Sequence, residues 1–312
     1  MTSPRFTGTE RPTGLFRLSE RGWGYLLAAP AFALVGLMAL APIMAALWLS
    51  LHRRMPIFGV DEFVGIWNYL QLWNDDRFWA ACRTTLYFTG LSVTAELILG
   101  FGLAILLDRV TSGTGRSPRL AQVMIILPWA IPTVVSAQIW AWLYQPDYGL
   151  LTYLLLQSGF IAAPIDWLAD PDWAIHAAVV MDIWKTTPFA ALLLLAGLTS
   201  VPQELYAAAR VDGAGVWHQF RHITVPLLMP VIVIVLVFRT MDAVRVFDAV
   251  FVLTGGGPGN TTETLSIYAY KTLFQTLQFG YGSALATAMF VIVAALSSLY
   301  VLLLRRHLRE TM

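Results

Sequence analysis

The sequence predicts an all-α integral membrane protein with six transmembrane helices and both termini cytoplasmic. Three observations carry this reading. Of 312 residues, 57% are hydrophobic and only 12% charged, where a soluble domain carries about 25% charged residues. Mean hydropathy is +0.65. Six runs reach the roughly 20 apolar residues a membrane helix needs, and the Lys/Arg content of the segments between them alternates.

The first run, about 24–51, follows Arg17 and Arg21. It exceeds a signal-peptide core and lacks a small-residue cleavage site, so it reads as a true span behind a cytoplasmic tail over 1–22. An external loop completes a region ending at 83. The remaining runs, about 84–107, 120–145, 173–198, 223–253 and 283–304, form a transport domain over 84–304, with a short tail at 305–312.

Orientation follows from the basic residues. Arg5, Arg11, Arg17, Arg21, Arg109, Arg116, Arg119, Arg210, Arg221, Arg305, Arg306 and Arg309 fall on one side, against Arg53, Arg54, Arg77, Arg83 and Lys271 on the other. Twelve against five makes the first side cytoplasmic. Trp23, Trp48, Trp140, Trp142 and Trp173 sit near span ends and read as an interfacial aromatic belt.

Several function classes drop out. A net charge of +1 gives no field for nucleic acid. The single cysteine, Cys82, excludes an internal disulfide and a zinc cluster. The two lysines, Lys185 and Lys271, follow Trp184 and Tyr270, so the chain has no G-K-[ST] nucleotide loop, and H-E-x-x-H is also missing.

Between the fourth and fifth runs lies a polar stretch, "PQELYAAARVDGAGVWHQFRHITVPLLMP" (Pro202–Pro230). Gln203–Val211 is rich in helix formers, and Pro202 can open that helix. Gly213 supplies a turn, and Val216–His222 resumes as a second short helix with Trp217 and Phe220 on one side. Exposed Leu205, Tyr206, Val211, Trp217 and Phe220 call for a protein cover.

This stretch resembles the coupling loop of permease subunits in binding-protein-dependent ABC importers, whose pattern is E-A-A, three residues, a glycine that lies within D-G-A, then a spaced I-x-L-P. Ala207-Ala208-Ala209, Asp212-Gly213-Ala214 and Ile223-Thr224-Val225-Pro226 stand at those places. Ala207 replaces the first Glu of the pattern, Glu204 lies one turn earlier, and Val225 replaces the Leu. "WKTTPFAALLLLAGLTSVP" (Trp184–Pro202) and "FRTMDAVRVFDAVFVLTGGGPGNTTETL" (Phe238–Leu265) resemble sugar-importer permeases of the maltose/trehalose (α-glucoside) type. The resemblance covers about 70–302.

It implies a type I importer permease fold in a prokaryotic plasma membrane, with no catalysis in this chain. It also implies that Glu204, Ala207, Ala208, Ala209, Asp212, Gly213, Ala214 and Trp217 couple to a partner. That partner is one of two ATP-binding cassette subunits, which bind ATP and Mg. A second permease subunit, an extracytoplasmic sugar-binding protein and a sugar substrate complete the implied assembly.

Six charges lie inside spans: Asp182, Lys185, Arg239, Asp242, Arg245 and Asp248. Each facing lipid at mid-bilayer would cost ~2.5–3.5 kcal/mol, so they face protein or water. The last four are successive i,i+3 neighbours of alternating sign and can pair, as can Asp182 and Lys185. Two readings stand. In one, they line a polar sugar path with Thr186 and Phe189, and Trp184, Phe247 and Tyr268 offer further aromatic faces. In the other, they form a buried ion-pair network. Glu96 reads as an acid paired within the bundle, and "TGGGPGN" (Thr254–Asn260) as a tight external turn. "SIYAYKTLF" (Ser266–Phe274) reads as a short helix at the outer surface.

Three functions therefore compete. They are an ATP-driven importer subunit for a di- or oligosaccharide working by alternating access, an ion-coupled secondary transporter using the intramembrane carboxylates, and an intramembrane enzyme using them as acid or base. A permease of the first kind for a non-sugar or sugar-phosphate solute is a further alternative.

Overall fold

A computed structural model describes residues 19–112 and 118–310. Arg5, Arg11, Arg17 and Arg116 lie outside the described residues, as do the side chains of Arg21, Arg119, Arg305, Arg306 and Arg309. The described chain falls into two compact units, one ending at Trp48 and one beginning at Leu49.

The first unit holds most of α1 (Glu20–Ser50), which includes Pro30 and Pro42. Proline is tolerated in membrane helices, and the element spans the run expected at 24–51.

The second unit opens with an antiparallel hairpin, β1 (His52–Met55) against β2 (Val60–Phe63), with His52 opposite Phe63. Gly59, at φ +64°, makes the reversal. The short helix α2 (Trp67–Trp73) follows, then α3 (Asp76–Ser112). α3 starts eight residues before the expected 84, because Asp75 and Asp76 open it where no apolar residue is needed.

The third expected span, 120–145, is not one helix. α4 (Pro118–Ala130) and α5 (Thr133–Leu143) meet at an angle of 92°. Pro132 removes a backbone donor and pushes Ile131 out of the helical region. After α6 (Leu150–Gln157), α7 (Ala174–Leu198) is the most enclosed helix, with Pro188 inside it. α3 lies against α7 where Gly100 meets Ala190 and Ala191, a small-residue contact that lets the backbones approach.

α8 (Gln203–Val211) is followed by α9 (Val216–Gln219), a π turn over Phe220–Thr224, and α10 (Val225–Val244). The second half of the polar stretch is therefore the start of the fifth span rather than a separate helix ending at His222. The Val225 N–H reaches back to Phe220 O across the π turn, one residue before Pro226, which has no N–H to give.

The fifth span also stops early. α10 ends at Val244, and α11 (Asp248–Leu253) begins after a three-residue break. α12 (Leu265–Tyr270), a π turn over Lys271–Gln275 and α13 (Phe279–Glu310) complete the chain. Five described helices are long and apolar enough to cross a membrane, six if α4 and α5 count as one broken span.

α3 relates the two ends of this unit. Near its start, Thr85 Oγ1 accepts from the Leu265 N–H at 2.9 Å, and Arg77 makes a double hydrogen bond to Glu263 at 2.7 and 2.9 Å. Further along, Phe101 meets Phe220 edge-on at 5.3 Å. The 254–282 region and the α8–α9 segment thus occupy opposite ends of the bundle.

Candidate functional site

The two helix breaks face one another, and α7 runs beside them. Between lies a cavity of about 250 Å³ lined by Trp129, Thr133, Asp182, Lys185, Thr186, Asp242, Ala243, Arg245, Val246, Phe247, Asp248 and Ala249. Six of the eight residues expected in the pathway meet there: Asp182, Lys185, Thr186, Asp242, Arg245 and Asp248. Phe189 stands behind the wall, its ring stacked on Trp129 at 5.5 Å. Trp129 and Thr133 come from the broken third span and were missed. The two prolines beside them, Pro128 before Trp129 and Pro132 before Thr133, are the signal that could have found them.

Arg239 lies beneath the cavity, 3% exposed, and holds three carboxylates from three helices. Its Nε and Nη2 donate to Glu96 at 2.5 and 2.8 Å, Nη2 donates to Asp182 at 3.2 Å, and Nη1 donates to Asp242 at 2.5 Å. Thr186 Oγ1 lies 2.7 Å from Glu96 Oε1 and 2.6 Å from Asp182 O. Its single proton serves one of them at a time. Glu96 is thus paired within the bundle, as expected, and is the most buried of the three carboxylates. Placing a guanidinium among carboxylates is what makes burial of these charges tolerable.

Other pairings expected from spacing do not form. Lys185 does not pair with Asp182. Its ammonium donates to Trp129 O at 3.2 Å and Ile131 O at 2.8 Å, carbonyls released by the α4–α5 break. A broken helix needs such a donor, because hydrocarbon offers none. Among the described residues no ion pair joins Asp242 to Arg245 or Arg245 to Asp248. The helix ends between them, and Arg245 Nε donates to Met241 O at 2.8 Å. Asp242, Arg245 and Asp248 are consequently the exposed charges of the cavity.

The expected aromatic faces divide. Phe247 lines the cavity, backed by Phe251 at 5.0 Å. Trp184 packs on Trp140 at 5.7 Å. Tyr268 lies at the other end of the bundle, where its hydroxyl donates to Asp75 at 2.6 Å and the Arg77 guanidinium sits 4.6 Å above its ring. Of the aromatic belt, Trp140 packs against Tyr144 and Trp173 against Trp167.

The 254–260 region is a tight turn, with Gly255, Gly256, Gly259 and Asn260 all at positive φ. Lys271 Nζ braces it, pairing with Glu263 at 2.8 Å and reaching Asn260 Oδ1 at 3.4 Å. The short helix expected over 266–274 is α12 with its π turn, but its Ile267 and Tyr268 are buried. Burial alone would raise the Glu263 carboxyl, but hydrogen bonds from Arg77 and Lys271 outweigh it and hold the group below the usual carboxylate range. Asp75 is likewise lowered. Burial pushes it up, and the hydroxyls of Tyr268 and Tyr281 with the backbone N–H groups of Arg77 and Phe78 prevail.

At the opposite end, α8, the turn after it and α9 present Glu204, Ala207, Ala208, Asp212, Gly213 and Trp217 outward, with Ala209 and Ala214 partly buried. Gly213 has φ +79°, as its place in the turn requires. The turn is tied by Ala214 N–H to Ala209 O at 2.9 Å and Gln219 Nε2 to Ala214 O at 2.8 Å. Tyr206 and Thr224 hydroxyls meet at 2.9 Å, fixing α8 against the start of α10. Val211 is 88% and Trp217 71% exposed, while Phe220 is partly buried, stacked against Trp217 at 5.4 Å.

A helical membrane bundle whose broken helices line a charged cavity of about 250 Å³ has the architecture of a solute permease. Residues 96–309 match the family described as binding-protein-dependent transport system inner membrane component, and the chain belongs to that family. It is 40% identical over 288 residues to the trehalose/maltose transport system permease protein of Thermococcus litoralis, covering 92% of this chain and 95% of that one. It is 38% identical over 286 residues to the trehalose transport system permease protein of Mycobacterium tuberculosis, covering 91% and 89%. Its fold matches a chain of a bacterial ABC transporter that imports the acidic polysaccharide alginate, with a TM-score of 0.78, 23% identity, and coverage of 92% and 96%. The fold is thus that of an ABC importer's membrane subunit.

Proposed function

We propose that this chain is a translocating subunit of an ATP-driven importer for a di- or oligosaccharide of the trehalose/maltose kind. The observation that carries this is the cavity itself. It offers the carboxylates of Asp242 and Asp248 and the guanidinium of Arg245 beside the rings of Trp129 and Phe247. Carboxylates accept from sugar hydroxyls, a guanidinium donates to them, and an aromatic face receives the C–H surface of a pyranose. The names of the relatives support the substrate class.

Asp182, Thr186 and Arg239 hold the wall, Lys185 holds the elbow between α4 and α5, and Phe189 props Trp129. The transport domain is 84–304. The segment 202–222 faces the cytoplasm and, through Glu204, Ala207, Ala208, Ala209, Asp212, Gly213, Ala214 and Trp217, docks on one of two ATPase subunits that carry ATP and Mg. Both termini lie on that side, in a prokaryotic plasma membrane. A second permease subunit completes the path, and an extracytoplasmic binding protein delivers the sugar. Nucleotide binding and hydrolysis on the partners rock the helices between outward and inward openings. Family membership supports this over ion-coupled exchange, in which a folded, exposed α8 segment has no task.

The test is ATPase activity of the assembled, reconstituted complex with its binding protein. Trehalose or maltose should stimulate it, and Asp248→Asn should weaken that stimulation several-fold while the complex still assembles. Sugar uptake driven by an ion gradient without the ATPase subunits would overturn the proposal.

A further inference from the structure

Between α1 and α3 the chain folds onto α13: Asn68 Nδ2 donates to Ser50 O and His52 O at 2.7 and 2.9 Å, and Gly280 abuts the His52 carbonyl. Asn68 and Leu72 of α2 are buried by this packing, at 3% and 4% exposure. The other face of α2 carries Trp67, Leu70 and Trp73, exposed by 55%, 49% and 70%. Residues i, i+3 and i+6 cover about 120° of a helix surface, so these three form one apolar face, exposed among the described residues.

That face continues into a membrane-spanning surface. The Trp73 and Trp79 rings meet edge to face at 5.3 Å, and Trp79 Nε1 donates to Trp73 O at 2.9 Å. From Trp79 an exposed stripe runs down α3 through Arg83, Tyr87 beside Leu86, Leu91 and Ile98, at the spacing of a single helix face. Arg83 lies one turn below Trp79 and donates Nε upward to Trp79 O at 3.3 Å. A basic side chain on an otherwise apolar stripe belongs where its head can snorkel into the headgroup layer. Trp79 and Arg83 therefore mark the bilayer boundary, and Trp73 touches that mark.

We infer that α2 is an interfacial helix lying in the plane of the membrane, its Trp67–Leu70–Trp73 face seated at the headgroup–acyl boundary. Amphipathic helices of this kind bury their apolar face about 5–10 Å into that region, and tryptophan is the residue that favours it. The occupant is lipid, not protein, because the face adjoins the Trp79–Arg83 pair, whose indole and guanidinium suit the headgroup layer. The inference holds whichever side of the membrane this end occupies and whatever solute is carried.

The test uses the full chain in phospholipid nanodiscs, spin-labelled at Leu70→Cys in a Cys82→Ser background, with labels at Leu86→Cys and Asn260→Cys as references. The Leu70 label should be reached by oxygen several-fold more readily than by a water-soluble nickel chelate, at a depth shallower than Leu86. Nickel accessibility equal to that at Asn260, or shielding from both reagents, would overturn the inference. A second measurement avoids new cysteines. Shallow-brominated phosphatidylcholine should quench the tryptophan fluorescence of the unaltered chain more than that of W67F/W73F, and equal quenching would count against lipid contact.

Discussion

Arg239 shows how far sequence spacing reaches at the scale of single residues. The i,i+3 partner Asp242 was legible in the sequence and is present at 2.5 Å. Glu96 and Asp182 are separated from Arg239 by 143 and 57 positions, and only the packing of α3, α7 and α10 brings them in. Lys185 was misread as a partner of Asp182 for the same reason, since its real acceptors depend on a break in another helix. Two predictions follow from these contacts. Replacing Arg239 with Met leaves buried carboxylates without their cation, and breaking such a network by removing one partner costs about 3–5 kcal/mol. The expected outcome is a large fall in thermal unfolding temperature in detergent or no recoverable protein, checked against Arg239→Lys, which should lose less. Lys185→Met removes the donor to two freed carbonyls, so the α4–α5 elbow should loosen, read as faster hydrogen exchange at 129–133 with the rest of the bundle unchanged.

At the scale of elements, neither break within a span was read from the sequence, although one of them carries a proline signal. Pro128 and Pro132 stand in the third span and the helix turns there, although a continuous apolar run suggested one span. The α10–α11 break contains neither proline nor glycine. It persists because the Val246 carbonyl accepts from Thr264 Oγ1 at 3.2 Å, a residue 18 positions away. The Gly213 turn was fully legible, because a left-handed backbone selects glycine. An aspartate there is strained and projects from the exposed face proposed to dock on the ATPase subunit. Gly213→Asp is expected to abolish sugar-stimulated ATP turnover in the assembled complex while leaving the melting temperature of the chain within a few degrees. The α12 end is held by two lowered carboxyls, Asp75 and Glu263. A depressed folded-state pKa contributes stability above the unfolded value, and that contribution is lost as pH falls through the folded one. Thermal stability should therefore drop as pH is taken from about 5 to below 4, and Glu263→Gln should flatten that profile while lowering stability at neutral pH.

For the whole molecule, composition and hydropathy delivered the membrane class, and loop charges proposed its sidedness. Single cysteines at Gly213 and Asn260, in a background lacking Cys82, are expected to react with a membrane-impermeant maleimide from opposite faces of sealed vesicles. Labelling from the same face would overturn the proposed topology. The cavity was legible as a set of charged residues. Its enclosure was not, because it depends on two helix breaks meeting from spans three and five.

The merging of α9 into α10 has a mechanical result. From Val216 to Val244 the backbone is one continuous helical run of 29 residues, about 43 Å long at 1.5 Å per residue, passing through the π turn and Pro230. Trp217 and Asp242 ride on the same lever. Under the proposed coupling, a tilt imposed at the α8–α9 knuckle would swing the carboxylate at the far tip, much as a crank turns its shaft.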